Sequence, residues 1–187
     1  MARRIARWVG TVVGGSRFVL LTLAIVAQPV SVQAEPRLLG WQDLVPLGWP
    51  DRDPLDGQDI SQLDDGDPEA QRLYAVLREY LDNAPVVPSL DNETVAIPGF
   101  VVPLRFEPQT QTIQEFLLVP FSGACIHVPP PASNQIILVN AELAARQFPA
   151  HPDAPVLVTG RLSIEHAESE LAVSSYRLDA SQITPYR

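Results

Sequence analysis

The chain has 187 residues, 46% of them hydrophobic and 19% charged, with 13 Arg and no Lys against 22 acids, for a formal charge of −9. That length holds one ordinary domain and little more. Its aliphatic content excludes a wholly disordered chain, its single Cys excludes an intrachain disulfide, and its 19 Pro imply many rigid turns.

Met1-Ala-Arg-Arg-Ile-Ala-Arg7 makes a basic start, followed after Arg17 by an apolar run from Phe18 to Ala27 and then by Val32-Gln-Ala34. This is the plan of a secretory signal peptide over residues 1–34, cleaved after Ala34. Its apolar part is short for a membrane anchor; an uncleaved anchor would need the stretch extended back to Val9. No Cys lies near the cleavage point, so no lipid anchor is expected, and the location expected is the periplasm. Removing this segment takes away four Arg and no acid, which leaves nine Arg against 22 acids and a formal charge of −13. Such a surface repels nucleic acid and anionic lipid, and it tolerates cations.

Residues 35–66 are aromatic, acidic and turn-rich, without helical or strand periodicity. They read as an extended arm that crosses the surface with Trp41 and Trp49 as hydrophobic pins. Asp51-Arg-Asp53-Pro-Leu-Asp56-Gly57 resembles a calcium loop, but Asp56 and Gly57 come one residue late and no Glu closes it. It therefore reads as a solvated acidic loop.

At Asp67-Pro68-Glu69 the pattern turns to a helix start: an Asp N-cap, Pro at the first position and Glu in the first turn. Leu73, Val76, Leu77, Tyr80 and Leu81 recur at spacings of three and four, which predicts an amphipathic helix over 67–83 whose stripe covers a core. From residue 84 to the end the pattern is β. Five apolar, β-branched segments run Thr94 to Leu104, Ile113 to Pro120, Gln135 to Val139, Val156 to Ile164 and Leu171 to Leu178. A short helix capped by Asn140 lies between the third and fourth. The order predicts a mainly β (α+β) fold, a small five-stranded OB-like barrel. Gly160 permits the bend that closing such a barrel demands, and Pro98 and Pro103 require edge or bulged positions.

The densest candidate site is the loop between the second and third strands, Phe121-Ser-Gly-Ala-Cys125-Ile-His127-Val-Pro129-Pro130-Pro131-Ala-Ser-Asn134-Gln135. Three consecutive prolines stiffen it. If Cys125 to His127 are extended, thiolate and imidazole project to one side and converge on one ion, for which zinc or Cu(I) is suited. A complete site needs a third ligand, His151, His166 or a carboxylate. His151 precedes Pro152 in a loop, and His166 is expected in a turn after the fourth strand. The competing reading is a buried thiol beside a hydrogen-bonded histidine that shapes the loop. A Cys-His nucleophile is disfavoured because no hydrolase signature and no orienting third group accompany the pair, so no enzyme is expected. A further alternative is a structural module that docks a partner on Trp41, Trp49, Pro129, Pro130 and Pro131.

Ile97-Pro-Gly-Phe-Val-Val-Pro103, Glu115-Phe-Leu-Leu-Val-Pro-Phe121, Gly123-Ala-Cys-Ile-His-Val-Pro-Pro-Pro131 and Asn134-Gln135 closely resemble the bacterial family designated domain of unknown function 3299. So do Trp41-Gln-Asp-Leu-Val-Pro46 and Asn83-Ala-Pro-Val-Val-Pro88, and the resemblance covers most of residues 40–180. It implies an exported, OB-like protein with no activity assigned. The family's Cys-x-His pair maps onto Cys125 and His127. It also implies envelope partners associated with ABC transporters that supply metals such as zinc. The chain departs from the lipid-anchored members in lacking their acylated Cys.

Overall fold

The computed structural model describes residues 35–60, 63, 64, 66–110, 112–124, 131–142, 144 and 154–186. In chain order the main elements are β1 (Arg37–Leu38), α1 (Pro68–Asp82), β2 (Thr94–Phe106), β3 (Ile113–Val119), β4 (Ile137–Asn140), β5 (Val156–Glu168) and β6 (Val173–Pro185). Among the described residues the protein is mainly β: a six-stranded sheet in the order β1-β2-β3-β4-β6-β5, with a further pairing between β2 and β5, and one α-helix. The β4–β6 and β1–β2 pairs are parallel and the others antiparallel.

Strand alternation decides where the core lies. Val95, Ile97 and Val101 of β2, Phe116 and Leu118 of β3, Ile137 and Val139 of β4, and Leu178 of β6 all enter one buried cluster. The intervening Leu117, Val119 and Ile136 are also buried, in a second cluster flanked by Phe100, Val102, Leu104 and Leu138. Both faces of β2–β3–β4 are therefore apolar, which is why these segments read as continuous hydrophobic runs rather than alternating ones.

The three special residues sit where their chemistry requires. The Pro98 carbonyl accepts the Trp41 indole N–H at 2.8 Å, two residues past the Ala96 carbonyl that accepts Leu39 N–H at 2.9 Å. Since N–H and C=O of one strand residue point the same way, the Pro98 nitrogen faces the side where β1 has already ended, and no ladder bond is lost. Pro103 adjoins a register shift in the β2–β3 ladder. Gly160 adjoins another in β5–β6, where a Cβ would meet the Asp179 carbonyl oxygen and lie 2.9 Å from Ala180 Cα.

Four expectations are corrected. The arm does not merely cross the surface. Leu39 and Leu44 are fully buried in the main cluster, β1 pairs with β2, and the Tyr176 hydroxyl donates to the Leu44 carbonyl at 2.9 Å. The apolar stripe of α1 does not cover the strand core. Ala70 and Leu73 are buried but belong to neither cluster, while Leu77, Tyr80 and Leu81 are half-buried and Val76 is exposed. The helix start itself is as expected, with the Asp67 carboxylate accepting Glu69 N–H at 2.8 Å. The third predicted strand begins later, at Ile137, after a 3-10 turn over Ser133–Gln135. The last hairpin is longer than predicted at both strands. Polar residues around His166 continue the ladder to the Glu168–Val173 pair, because cross-strand hydrogen bonding persists there without a buried face. The helix expected after Asn140 lies mostly outside the described residues. Of the described residues there, Glu142 N–H donates to Asn140 Oδ1 at 3.2 Å and Ala144 N–H to the Ala141 carbonyl at 2.9 Å, which is a turn.

Candidate functional site

The second half of the arm owes its shape to short-range carboxylate contacts. Asp53 accepts Leu55 N–H at 2.9 Å and Gly57 N–H at 2.7 Å, and Asp56 and Gly57 follow with φ of 51° and 78°. This is the Asx-turn behaviour of an acidic loop. It leaves Trp49 to Arg52 beside α1, whose spacing places Val76, Glu79 and Tyr80 on one surface.

The two segments meet around Tyr80. Its ring stacks on Trp49, with centroids 5.9 Å apart and planes inclined by 15°. Its hydroxyl donates to Asp51 Oδ1 at 2.9 Å and accepts Asp51 N–H at 3.2 Å. Arg52 Cζ sits 5.6 Å from the ring centroid. Desolvation, aided by the bond to the Asp51 carboxylate, raises the Tyr80 phenol above its ordinary value, and N–H groups of the loop oppose that shift. A cleft of about 540 Å³ opens here, and Trp49, Asp51, Arg52, Val76, Glu79 and Tyr80 are among the residues that line it. Sequence reasoning placed Tyr80 in the core stripe and did not assign Asp51, Arg52 or Glu79 to a site. The available signal was a Trp-Pro-Asp-Arg string a short loop before an amphipathic helix.

The residues singled out from sequence separate. Trp49 lies in this cleft. Trp41 is half-buried against the main core, with its indole N–H bonded to Pro98 and its carbonyl accepting Gln135 Nε2 at 2.9 Å, so it holds the arm down. Cys125, His127, Pro129, Pro130 and His151 lie outside the described residues, and Pro131 is half-buried. His166 is exposed within β5, not in a turn, and lines a second cleft of about 420 Å³ with Arg78, Glu79, Asp82 and Glu168. Among the described residues no group of three or more His, Cys, Asp or Glu is placed to hold a metal ion. In the turn that follows the proline loop, Ser133 and Asn134 are fully buried and Gln135 is half-buried. Ser175 Oγ donates to Ser133 Oγ at 2.7 Å and Asn134 Nδ2 to the Pro85 carbonyl at 2.9 Å, while among the described residues Asn134 Oδ1 has no hydrogen-bond partner. Among the described residues no helix is long and apolar enough to cross a membrane.

Residues 41–185 match the model of the family described as Protein of unknown function (DUF3299). The chain is similar to the crystal structure of a DUF3299 family protein from Pseudomonas aeruginosa PAO1, with 39% sequence identity and a TM-score of 0.63, over 82% of this chain and 98% of that one. No curated protein matches it. The chain belongs to the DUF3299 family.

Proposed function

We propose that this DUF3299 family member is an exported, non-catalytic binding or accessory module of the periplasm, built on an OB-like barrel, which engages a partner through the Trp49–Tyr80 cleft. The cleft carries the reading. Two large amphipathic rings stack at the wall of a cavity of about 540 Å³ beside Arg52, Asp51 and Glu79, and aromatic walls with a few fixed polar groups are the usual form of a recognition site. Export is supported by the basic start and apolar run before Ala34. The barrel is supported by the succession of pairings, since β2 bonds to both β3 and β5 and the path β2-β3-β4-β6-β5 returns to its origin. The partners the family resemblance suggests are envelope proteins of transporters. The test is site-specific photocrosslinking in intact cells from position 76, against position 181 as control. The expected result is one envelope protein, captured reciprocally, from position 76 only and lost with Trp49→Ala. Equal capture from both positions refutes the reading.

A second reading, handling of a divalent metal or copper, is favoured by the proline-braced Cys125-x-His127 spacing in a chain whose exported part carries a charge of −13. Metal analysis of the purified protein tests it. About one equivalent of zinc or copper is expected, lost in both Cys125→Ala and His127→Ala with unchanged thermal unfolding. His151→Ala and His166→Ala would then identify the third ligand. Equal metal content in wild type and both variants refutes it.

A further inference from the structure

The cleft holds a cation already, its own Arg52, and among the described residues that cation has no carboxylate partner. The guanidinium lies within the roughly 6 Å over which a positive charge is drawn to an aromatic face, and among the described residues it makes no ion pair. The Glu79 carboxylate lines the same cleft and likewise has no ion pair there, while Asp51 is engaged by the Tyr80 hydroxyl. With Arg52 in place the lining groups sum to one negative charge; with Arg52 swung out they sum to two. An electron-rich stacked pair, a carboxylate with no ion pair among the described residues and an internal guanidinium held on the ring form the lining of a site for positive charge. An anionic ligand would gain Arg52 and face two carboxylates.

We infer that the Trp49–Tyr80 cleft takes a cationic group, a guanidinium or alkylammonium borne by its ligand, and that Arg52 is the internal cation which this group displaces. The inference rests on the cleft being the binding site proposed above and specifies its ligand chemistry. Arg52 is then a competitor rather than a contact. Removing it strengthens binding by about two- to fivefold, the range that corresponds to an exposed cation–π contact. Removing the Glu79 charge weakens binding, and salt weakens it further.

The experiment is an NMR titration of the full chain, following the Trp49 and Tyr80 ring signals. Agmatine represents a free guanidinium, acetyl-Gly-Arg-Gly-amide a peptide-borne one, and acetyl-Gly-Glu-Gly-amide the opposite charge. The expected result is saturable shifts with the two cationic probes, tighter binding in Arg52→Ala and Arg52→Gln, and weaker binding in Glu79→Gln. Tighter binding of the peptide assigns the group to a protein partner, and equal or tighter binding of agmatine to a small amine. Preference for the Glu peptide, lost in both Arg52 variants, overturns the cationic assignment and leaves the cleft as a binding site. Absence of any shift in wild type and both Arg52 variants also overturns it, and the crosslinking result then judges the partner reading separately.

Discussion

Tyr176→Phe isolates a hydroxyl that ties three distant parts of the chain together. The Tyr176 ring is fully buried in the main cluster on β6, and its oxygen accepts Val87 N–H at 2.7 Å while donating to the Leu44 carbonyl at 2.9 Å. Leu44 closes the first turn of the arm, and Val87 ends the linker that leaves α1. Phenylalanine keeps the ring and its packing, so the loss is confined to two hydrogen bonds and two backbone groups without a partner. An unmet buried group costs about 1–3 kcal/mol, and Val87, half-buried, belongs at the low end, which gives about 2–4 kcal/mol in total. For a chain of this size that lowers the thermal midpoint by about 4–16 °C. Urea unfolding followed by circular dichroism should show a lower midpoint with an unchanged slope. A loss under about 0.5 kcal/mol would mean that the hydroxyl does not secure the arm, and the account of the arm as part of the core would fail with it.

Burial also raises the Tyr176 phenol above its ordinary value, the Val87 N–H acting in the opposite direction. A raised folded value means that the neutral phenol's contribution is complete below the ordinary pKa of about 10 and is lost as pH rises from there through the folded value. Thermal midpoints should therefore fall above about pH 10 less steeply in Tyr176→Phe than in wild type. They do not become flat, because the raised Tyr80 phenol acts with the same sign. Gly160→Ala should cost about 1–3 kcal/mol or more in urea unfolding, since the new methyl meets the Asp179 carbonyl oxygen and Ala180 Cα, which are backbone atoms and cannot rotate away; a neutral substitution would show that the strands do not approach closely at the bulge. Asp67→Ala removes the acceptor for Glu69 N–H and should cost about 0.5–2 kcal/mol of α1 stability, seen as lost helical ellipticity before the main transition.

Elements were legible from sequence where one local force dominated. The cap and first proline of α1, the β-branched runs of β2 to β5, and the placement of Pro98, Pro103 and Gly160 each follow from a single residue's chemistry. What escaped depends on pairs far apart in the chain. β1 is two residues long and exposed, with no pattern of its own, and exists because β2 offers it an edge. The Leu44 carbonyl is held by the hydroxyl of Tyr176, 132 positions away. The Tyr80 cleft is likewise a contact between residue 51 and residue 80, and the helical stripe gave no sign that its apolar side would meet the arm instead of the strands. The sequence marks Trp41 and Trp49 alike as pins, and nothing local to either distinguishes a pin on the core from one on a cleft.

That difference between Trp41 and Trp49 is itself measurable. Trp41→Phe leaves the Pro98 carbonyl without its donor at the point where β1 pairing has ended, and Trp41 packs on the main cluster, so about 1 kcal/mol should be lost from the global transition. Trp49→Ala removes a stack worth about 0.5–1.5 kcal/mol, but its partner Tyr80 lies on a helix that contributes no residue to either core cluster. Its effect should therefore appear as local opening: faster amide exchange in α1 and the arm loop, with the strand amides and the global midpoint unchanged. Should Trp49→Ala lower the global midpoint as much as Trp41→Phe, the cleft would be part of the folding core, and its stacked rings would be held there by stability rather than left available for a ligand.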